Sequence, residues 1–198
     1  MDLKYIITIG REYGSGGRFI AKLLAEKLNI KYYDSELIAK AAQESGIDPS
    51  VFEQYDEKKE FFFGGASGLY SYDIPLSQKV FLAQNDAIKE IAEAGESAVI
   101  VGRCADYVLK DYENRLSVFI CAPMEDKINR VVKYYGIDPK KAESVILKTD
   151  KKRRGYYNFY TDGDWGMARN YDICVNSKIG IEESVNAIVA YVNGRFNK

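Results

Sequence analysis

Histidine is absent from all 198 residues of this chain. Its absence removes the Ser-His-Asp triad, the Cys-His dyad and every histidine-ligated metal site. The chemistry that survives must run on carboxylates, arginines, lysines, hydroxyls or a metal carried in by a ligand. Phosphoryl transfer asks least of side-chain acids and bases, because it needs mainly positioning and positive charge. Cysteine is scarce too. Cys104, Cys121 and Cys174 are odd in number, each adjoins an apolar segment, and no C-x-x-C occurs. That argues against a disulfide framework or a zinc site and for small buried thiols in a reducing compartment. Neither sign of charge dominates: 28 Lys and Arg face 29 Asp and Glu, for a net charge of −1. An extended nucleic-acid surface is therefore not expected, although the balance is compatible with a local basic pocket. No apolar run approaches the roughly 18 residues of a membrane span. The opening MDLKYIITIG lacks a basic segment followed by a long apolar one. The expectation is a cytoplasmic protein that spans no membrane.

Against these absences stands a composition of 46% hydrophobic and 29% charged residues, enough for a packed core. The length suits one α/β domain, with room for a small insertion. Strand and helix signals alternate. Tyr5 to Ile9 reads as a buried strand, and Arg18 to Leu28 as a helix whose stripe is Phe19, Ile20, Leu23, Leu24 and Leu28. Asn29 ends that helix. Ile30 to Tyr33 is a short strand, and Asp34 can cap a helix over Ser35 to Glu44. Residues 46–77 break the pattern with Pro49, Phe61-Phe62-Phe63, several glycines and Pro75, and read as a partly helical insertion rich in aromatic residues. Helical periodicity returns from Gln78 to Ala94. Ala98 to Val101 and Leu116 to Cys121 are strands. Pro123 opens a helix through Tyr135 that Gly136 caps. A further helix spans Pro139 to Arg154, a last strand Tyr171 to Val175, and a closing helix Ile181 to Val192. Continuous apolar strands separated by helices predict a parallel sheet covered on both faces, with ligands at the carboxyl ends of the strands.

The loops at those ends carry the candidate chemistry. Gly10 to Arg18 follows the first strand and opens the first helix. Gly14, Gly16 and Gly17 allow backbone N–H groups to converge on an anion, and the helix N-terminus adds partial positive charge. Ser15 offers a hydroxyl, and Arg11 and Arg18 bracket the loop. A standard phosphate loop carries Lys where this chain has Gly17, followed by a hydroxyl residue that is also missing. Asp34, at the end of the second strand, suits a sugar hydroxyl or a base amine, and equally a helix N-cap. Lys40 reads from its position alone as a surface lysine. Arg103 follows a buried strand, where its fork suits a phosphate or an ion pair. The run Asp150-Lys151-Lys152-Arg153-Arg154 reads as a basic helix face, with Lys151 and Arg154 on one side. Brought over a phosphoryl group, it would make a lid, to which Arg130 could contribute.

These pieces in this order resemble the P-loop nucleoside monophosphate kinases, and specifically the cytidylate kinase-like family. The resemblance rests on ITIGREYGSGGRFIAKLLAEKL, YYDSELI, VGRCADYVL, DKKRRGYYNFYTDGDW and YDICVNS, which together span nearly the whole chain. It implies a three-layer P-loop kinase fold over residues 1–198 with a five-stranded parallel sheet. A small helical substrate-binding insertion would lie at about 46–77 and a lid at about 150–166. It implies ATP with Mg²⁺ as donor and a small phosphorylated acceptor, CMP or dCMP. By motif position, Arg11, Gly14, Ser15, Gly16, Gly17 and Arg18 would hold donor phosphates. Asp34, Lys40, Arg103, Arg130 and Lys151 would face the acceptor. Arg18, Arg103, Arg153 and Arg154 would act on the transferring phosphate, and Asn176-Ser177 would lie near the donor base. The resemblance assigns no metal ligand.

The departures are specific. A typical cytidylate kinase reads Gly-Ser-Gly-Lys-Gly-Thr where this chain reads Gly14-Ser15-Gly16-Gly17-Arg18-Phe19, and Val101 stands where an Asp precedes the Gly-Arg pair. The divergent branch of the family shares the altered loop. Arg18 or Arg11 would take the place of the lysine. Two alternatives stay open: a catalytically weak nucleotide-binding or regulatory protein on the same fold, and a kinase for another small metabolite whose acceptor pocket the aromatic insertion reshapes. The sequence also leaves a homo-oligomer open.

Overall fold

Runs of buried aliphatic residues build a parallel sheet. In a computed structural model, which describes residues 3–34 and 76–196, the elements in chain order are β1 (Ile6–Arg11), α1 (Gly17–Leu28), β2 (Lys31–Tyr33), α2 (Leu76–Glu93), β3 (Ala98–Val101), α3 (Ala105–Val108), β4 (Arg115–Cys121), α4 (Met124–Tyr135), α5 (Pro139–Tyr160), β5 (Ile173–Asn176) and α6 (Ile181–Phe196). Two short 3₁₀ turns, Ala168–Asn170 and Ser177–Ile179, flank β5. The five strands lie in the order β2-β3-β1-β4-β5, and every pairing is parallel. The expected helix over Ser35 to Glu44 and nearly all of the 46–77 insertion lie outside the described residues.

Alternation along the strands makes three layers. Ile7 and Ile9 of β1, with Val99, Val101 and Val118, pack under α1 and α6 through Ile20, Leu24, Val185 and Ile188. Ile6, Ala98 and Ile100 face the other way, against Ile88 and Ala92 of α2 and Ala105 and Leu109 near α3. Each fully buried side chain of this size contributes about 1.5–3 kcal/mol against the entropy of ordering the chain. The helix ends follow from residue chemistry. Asn29 and Gly136 close α1 and α4 in the left-handed region, and Asp138 accepts from the Lys140 N–H ahead of α5, with Pro139 in its first turn.

Several boundaries differ from expectation; the closing helix, for one, runs past Val192 to Phe196, and three others bear on the site. β1 runs on to Arg11, because Gly10 and Arg11 still pair with Phe119 and Ile120 of β4. α5 continues six residues past Arg154 to Tyr160. Its aromatic end is held by packing: Tyr157 is buried, and the Tyr160 ring stacks on Phe81 of α2 at 4.1 Å. The last strand starts at Ile173, because the preceding 3₁₀ turn takes up the chain as far as Tyr171. The cysteines also depart from the buried reading. Only Cys104 is buried, and Cys174 is exposed because β5 is the sheet edge. Among the described residues, no helix is long and apolar enough to cross a membrane.

Candidate functional site

The site is built from the loop between β1 and α1. Gly14 and Gly16 take φ of +77° and +79°, where a side chain is strained. Neither has room for one. A Cβ on Gly14 would stand 2.9 Å from the Lys127 carbonyl oxygen, and one on Gly16 would stand 2.5 Å from Ile181 Cδ1. The Ser15 hydroxyl turns inward, donating to the Glu12 carbonyl at 2.8 Å and accepting from Gly17 N–H at 3.4 Å. The loop thus carries its curvature in its own backbone and opens onto the start of α1, whose first N–H groups have no partner within the helix.

Two side-chain frames brace this loop from behind. Arg130 of α4 donates to the carbonyls of Gly14 (3.4 Å), Ser15 (3.1 Å) and Ser177 (2.9 Å) and to Ser177 Oγ (3.0 Å). Ser177 Oγ in turn donates to the Ser15 carbonyl at 2.6 Å. The second frame is an ion cluster around the buried Lys127. Lys127 Nζ lies 3.1 Å from Glu12 Oε2 and 3.5 Å from Asp150 Oδ2. Asp150 also accepts from Tyr13 N–H at 2.7 Å, and Glu12 from Ala122 N–H at 3.2 Å. Burial raises the Asp150 carboxyl above the ordinary range, against the lowering pull of Tyr13 N–H, Lys127 and Arg153. The cluster joins the loop to α4 and α5, so the basic stretch of α5 is anchored to the glycine-loop backbone.

Beside the loop, at the carboxyl ends of β1 and β3, lies a cleft open to solvent. Arg11, Arg103, Lys152 and Arg153 line it, with Gly10 and Gly102 as floor and Tyr156, Tyr157, Trp165 and Tyr171 as wall. Arg103 and Cys104 follow Gly102 in the left-handed region, with φ of +54° each, and this strained turn holds a buried arginine at the cleft. Arg153 donates to the Arg11 carbonyl at 3.3 Å and packs over the Tyr13 ring at 5.6 Å. Its Nε is buried without a hydrogen-bond partner among the described residues.

Other sequence candidates fall elsewhere. Arg18 is held by Asp34, Nη2 to Oδ2 at 2.6 Å, so these two candidates form one pair at the start of α1 and the end of β2. Arg130 serves the loop backbone and does not line the cleft. Lys151 and Arg154 are exposed on α5, and Arg154 lies over the Trp165 ring at 5.8 Å. Lys40 lies outside the described residues. Sequence reading missed Lys152 and the Asp106–Tyr157 pair. Tyr157 Oη donates to Asp106 Oδ2 at 2.8 Å. Burial raises the Asp106 carboxyl, against the lowering effect of that hydrogen bond, and pushes the Tyr157 hydroxyl far up. The missed signal was helical spacing: Lys152–Tyr156 and Arg153–Tyr157 are each four apart, which makes one face if the helix is read through to Tyr160. Among the described residues, no group of three or more carboxylates or cysteines is placed to hold a metal.

The comparisons agree with this architecture. The model of the cytidylate kinase-like family matches residues 6–179. The cytidylate kinase of Archaeoglobus fulgidus is 28% identical over 92% of this chain and 91% of its own, and that of Pyrococcus horikoshii is 27% identical over 94% and 86%. A crystal structure of an uncharacterized protein from Eubacterium ventriosum superposes with a TM-score of 0.78 at 34% identity, covering 97% of this chain and all of that one. A gluconokinase from Sinorhizobium meliloti, at 14% identity and a TM-score of 0.61, shares the fold over 100% of this chain and 96% of its own.

Proposed function

This chain belongs to the cytidylate kinase-like family, and on that premise we propose that it transfers a phosphoryl group from ATP to CMP or dCMP. One observation carries the reading. Four cations, Arg11, Arg103, Lys152 and Arg153, converge on a cleft at the carboxyl ends of the two central strands, directly beside the glycine loop. Loop N–H groups and the start of α1 bind the donor phosphates. The cleft arginines spread over the charge that develops on the transferred group, where preset donors act without reorganisation. The Arg18–Asp34 pair stands at the β2 end, on the acceptor side. Mg²⁺ arrives with ATP as part of the substrate and supplies charge neutralisation there; no described residue is assigned to it. An acceptor that is already a phosphate monoester needs no strong base, which accords with a chain without histidine.

A coupled phosphotransfer assay with ATP and Mg²⁺ against CMP, dCMP, UMP, AMP and GMP, run beside calorimetric titration of ATP, tests this. Turnover of CMP and dCMP above the other monophosphates is expected. ATP binding with no turnover of any acceptor favours the regulatory, catalytically weak reading, for which the missing lysine speaks. Turnover of a different metabolite alone removes the cytidylate acceptor and keeps the kinase.

A further inference from the structure

Deepening the phosphotransferase reading on which it rests, we infer that Arg11 replaces the absent phosphate-loop lysine, and that Gly17 is a glycine because the Arg11 side chain starts in the space its side chain would fill. A Cβ on Gly17 would stand 2.6 Å from Arg11 Cβ and 3.1 Å from Arg11 Cγ. The aliphatic stem therefore starts where the stem of a lysine at 17 would start. The other end lies across the cleft. A Cβ on Gly102 would collide with Arg11 Nη1 and stand 3.0 Å from Cζ and 3.3 Å from Nη2. The guanidinium is thus carried from the mouth of the glycine loop to the carboxyl end of β3, among Arg103, Lys152 and Arg153.

The backbone supports this path. Gly10 and Arg11 remain in the β1 ladder, Arg153 donates to the Arg11 carbonyl, and Gly102 N–H donates to the Ile9 carbonyl at 3.1 Å. Arg18, the other cation bracketing the loop, is drawn to Asp34 at 2.6 Å, with its side chain 54% exposed. The cation needed over the bridging phosphates has moved from the first turn of the helix to the last residue of the preceding strand. Lysine at 17 and arginine at 11 are then mutually exclusive solutions.

The test is a double-mutant cycle on the full chain, with turnover of CMP by ATP and the Kd values of ATP and AMP as readouts and thermal melting as the check of folding. Arg11→Ala should lower kcat by about 100-fold, the scale of removing one preset transition-state donor, and weaken ATP by at least about 10-fold while moving AMP by less than about 2-fold. Arg11→Lys should recover part of both losses. Gly17→Lys should also inactivate, but the Arg11→Ala, Gly17→Lys double variant should exceed Arg11→Ala in kcat by at least about 10-fold. A lysine that harms in the presence of Arg11 and helps in its absence shows that the two side chains compete for one place, and the ATP-against-AMP split separates a phosphate contact from a merely structural role. The inference falls if Arg11→Ala stays within about 3-fold of the parent kcat, or if the folded double variant is no better than Arg11→Ala. If the parent chain binds ATP yet phosphorylates no monophosphate, the proposed function falls alone. Loss of ATP but not AMP binding in Arg11→Ala then upholds the assignment, and equal binding overturns it.

Discussion

Arg18 and Asp34, 16 residues apart in sequence, meet at 2.6 Å through a guanidinium that is about half exposed and a carboxylate that is buried. An exposed partner lends such a pair little stability, and under the proposed function the pair holds the two groups for the acceptor. Arg18→Ala is accordingly expected to raise the acceptor KM by about 10-fold, the equivalent of ~1.4 kcal/mol, with kcat within about 3-fold of the parent. Steady-state kinetics with varied CMP read both values, and a kcat loss matching that of Arg11→Ala would move Arg18 to the transferring phosphate. Every arginine in question was legible in the sequence, because the residue type and its place at a strand end suffice to nominate a cation. Direction was not legible. Arg130 looks as suited to a substrate as Arg103 until its four hydrogen bonds to Gly14, Ser15 and Ser177 are seen.

Those bonds act at the scale of elements, since they tie α4 to the glycine loop and to the turn after β5. Arg130→Ala leaves loop carbonyls without their charged donor. It should cost about 1–3 kcal/mol of stability and weaken ATP binding, and Arg130→Lys should recover little, because one ammonium cannot reproduce the fork. Urea denaturation and ATP titration of the two variants check this, and parent-like values in Arg130→Ala would reduce the frame to a packing contact. Most elements could be read from the chain. Apolar runs marked β1, β3 and β4, and Asn29, Gly136 and Asp138-Pro139 marked helix ends by local chemistry alone. The end of α5 could not. Gly155 and a row of aromatics look like a stop, and the helix continues only because Phe81 of α2 supplies a surface for Tyr156 and Tyr160. Along the same helix Lys152 and Arg153 line the cleft, while Lys151 and Arg154 are exposed.

For the molecule as a whole, Asp172 joins the sheet to its closing helix. It accepts from Ser117 N–H (2.7 Å) and Ser117 Oγ (2.9 Å) of β4, and pairs with Arg195 of α6 at 3.0 Å. Burial alone would raise this carboxyl, but the Ser117 bonds and Arg195 bring it below the ordinary range. A carboxyl lowered on folding stabilises fully above its unfolded value of about 3.9, and that contribution is lost as pH falls through the lower folded value. Asp172→Asn should therefore be less stable than the parent by about 1–3 kcal/mol at neutral pH, with the gap narrowing towards pH 3. Urea midpoints at pH 7, 5 and 3 measure it, and a gap independent of pH would show that ionisation of Asp172 plays no part. Periodicity and end signals are local, so the chain alone sufficed for a parallel α/β fold and for a glycine-rich turn without a lysine between its first strand and first helix. Strand order and helix facing depend on contacts between distant segments. Folding was needed to set Gly17 and Gly102 against the two ends of Arg11, to pair Arg18 with Asp34, and so to distinguish which cation stands in the cleft.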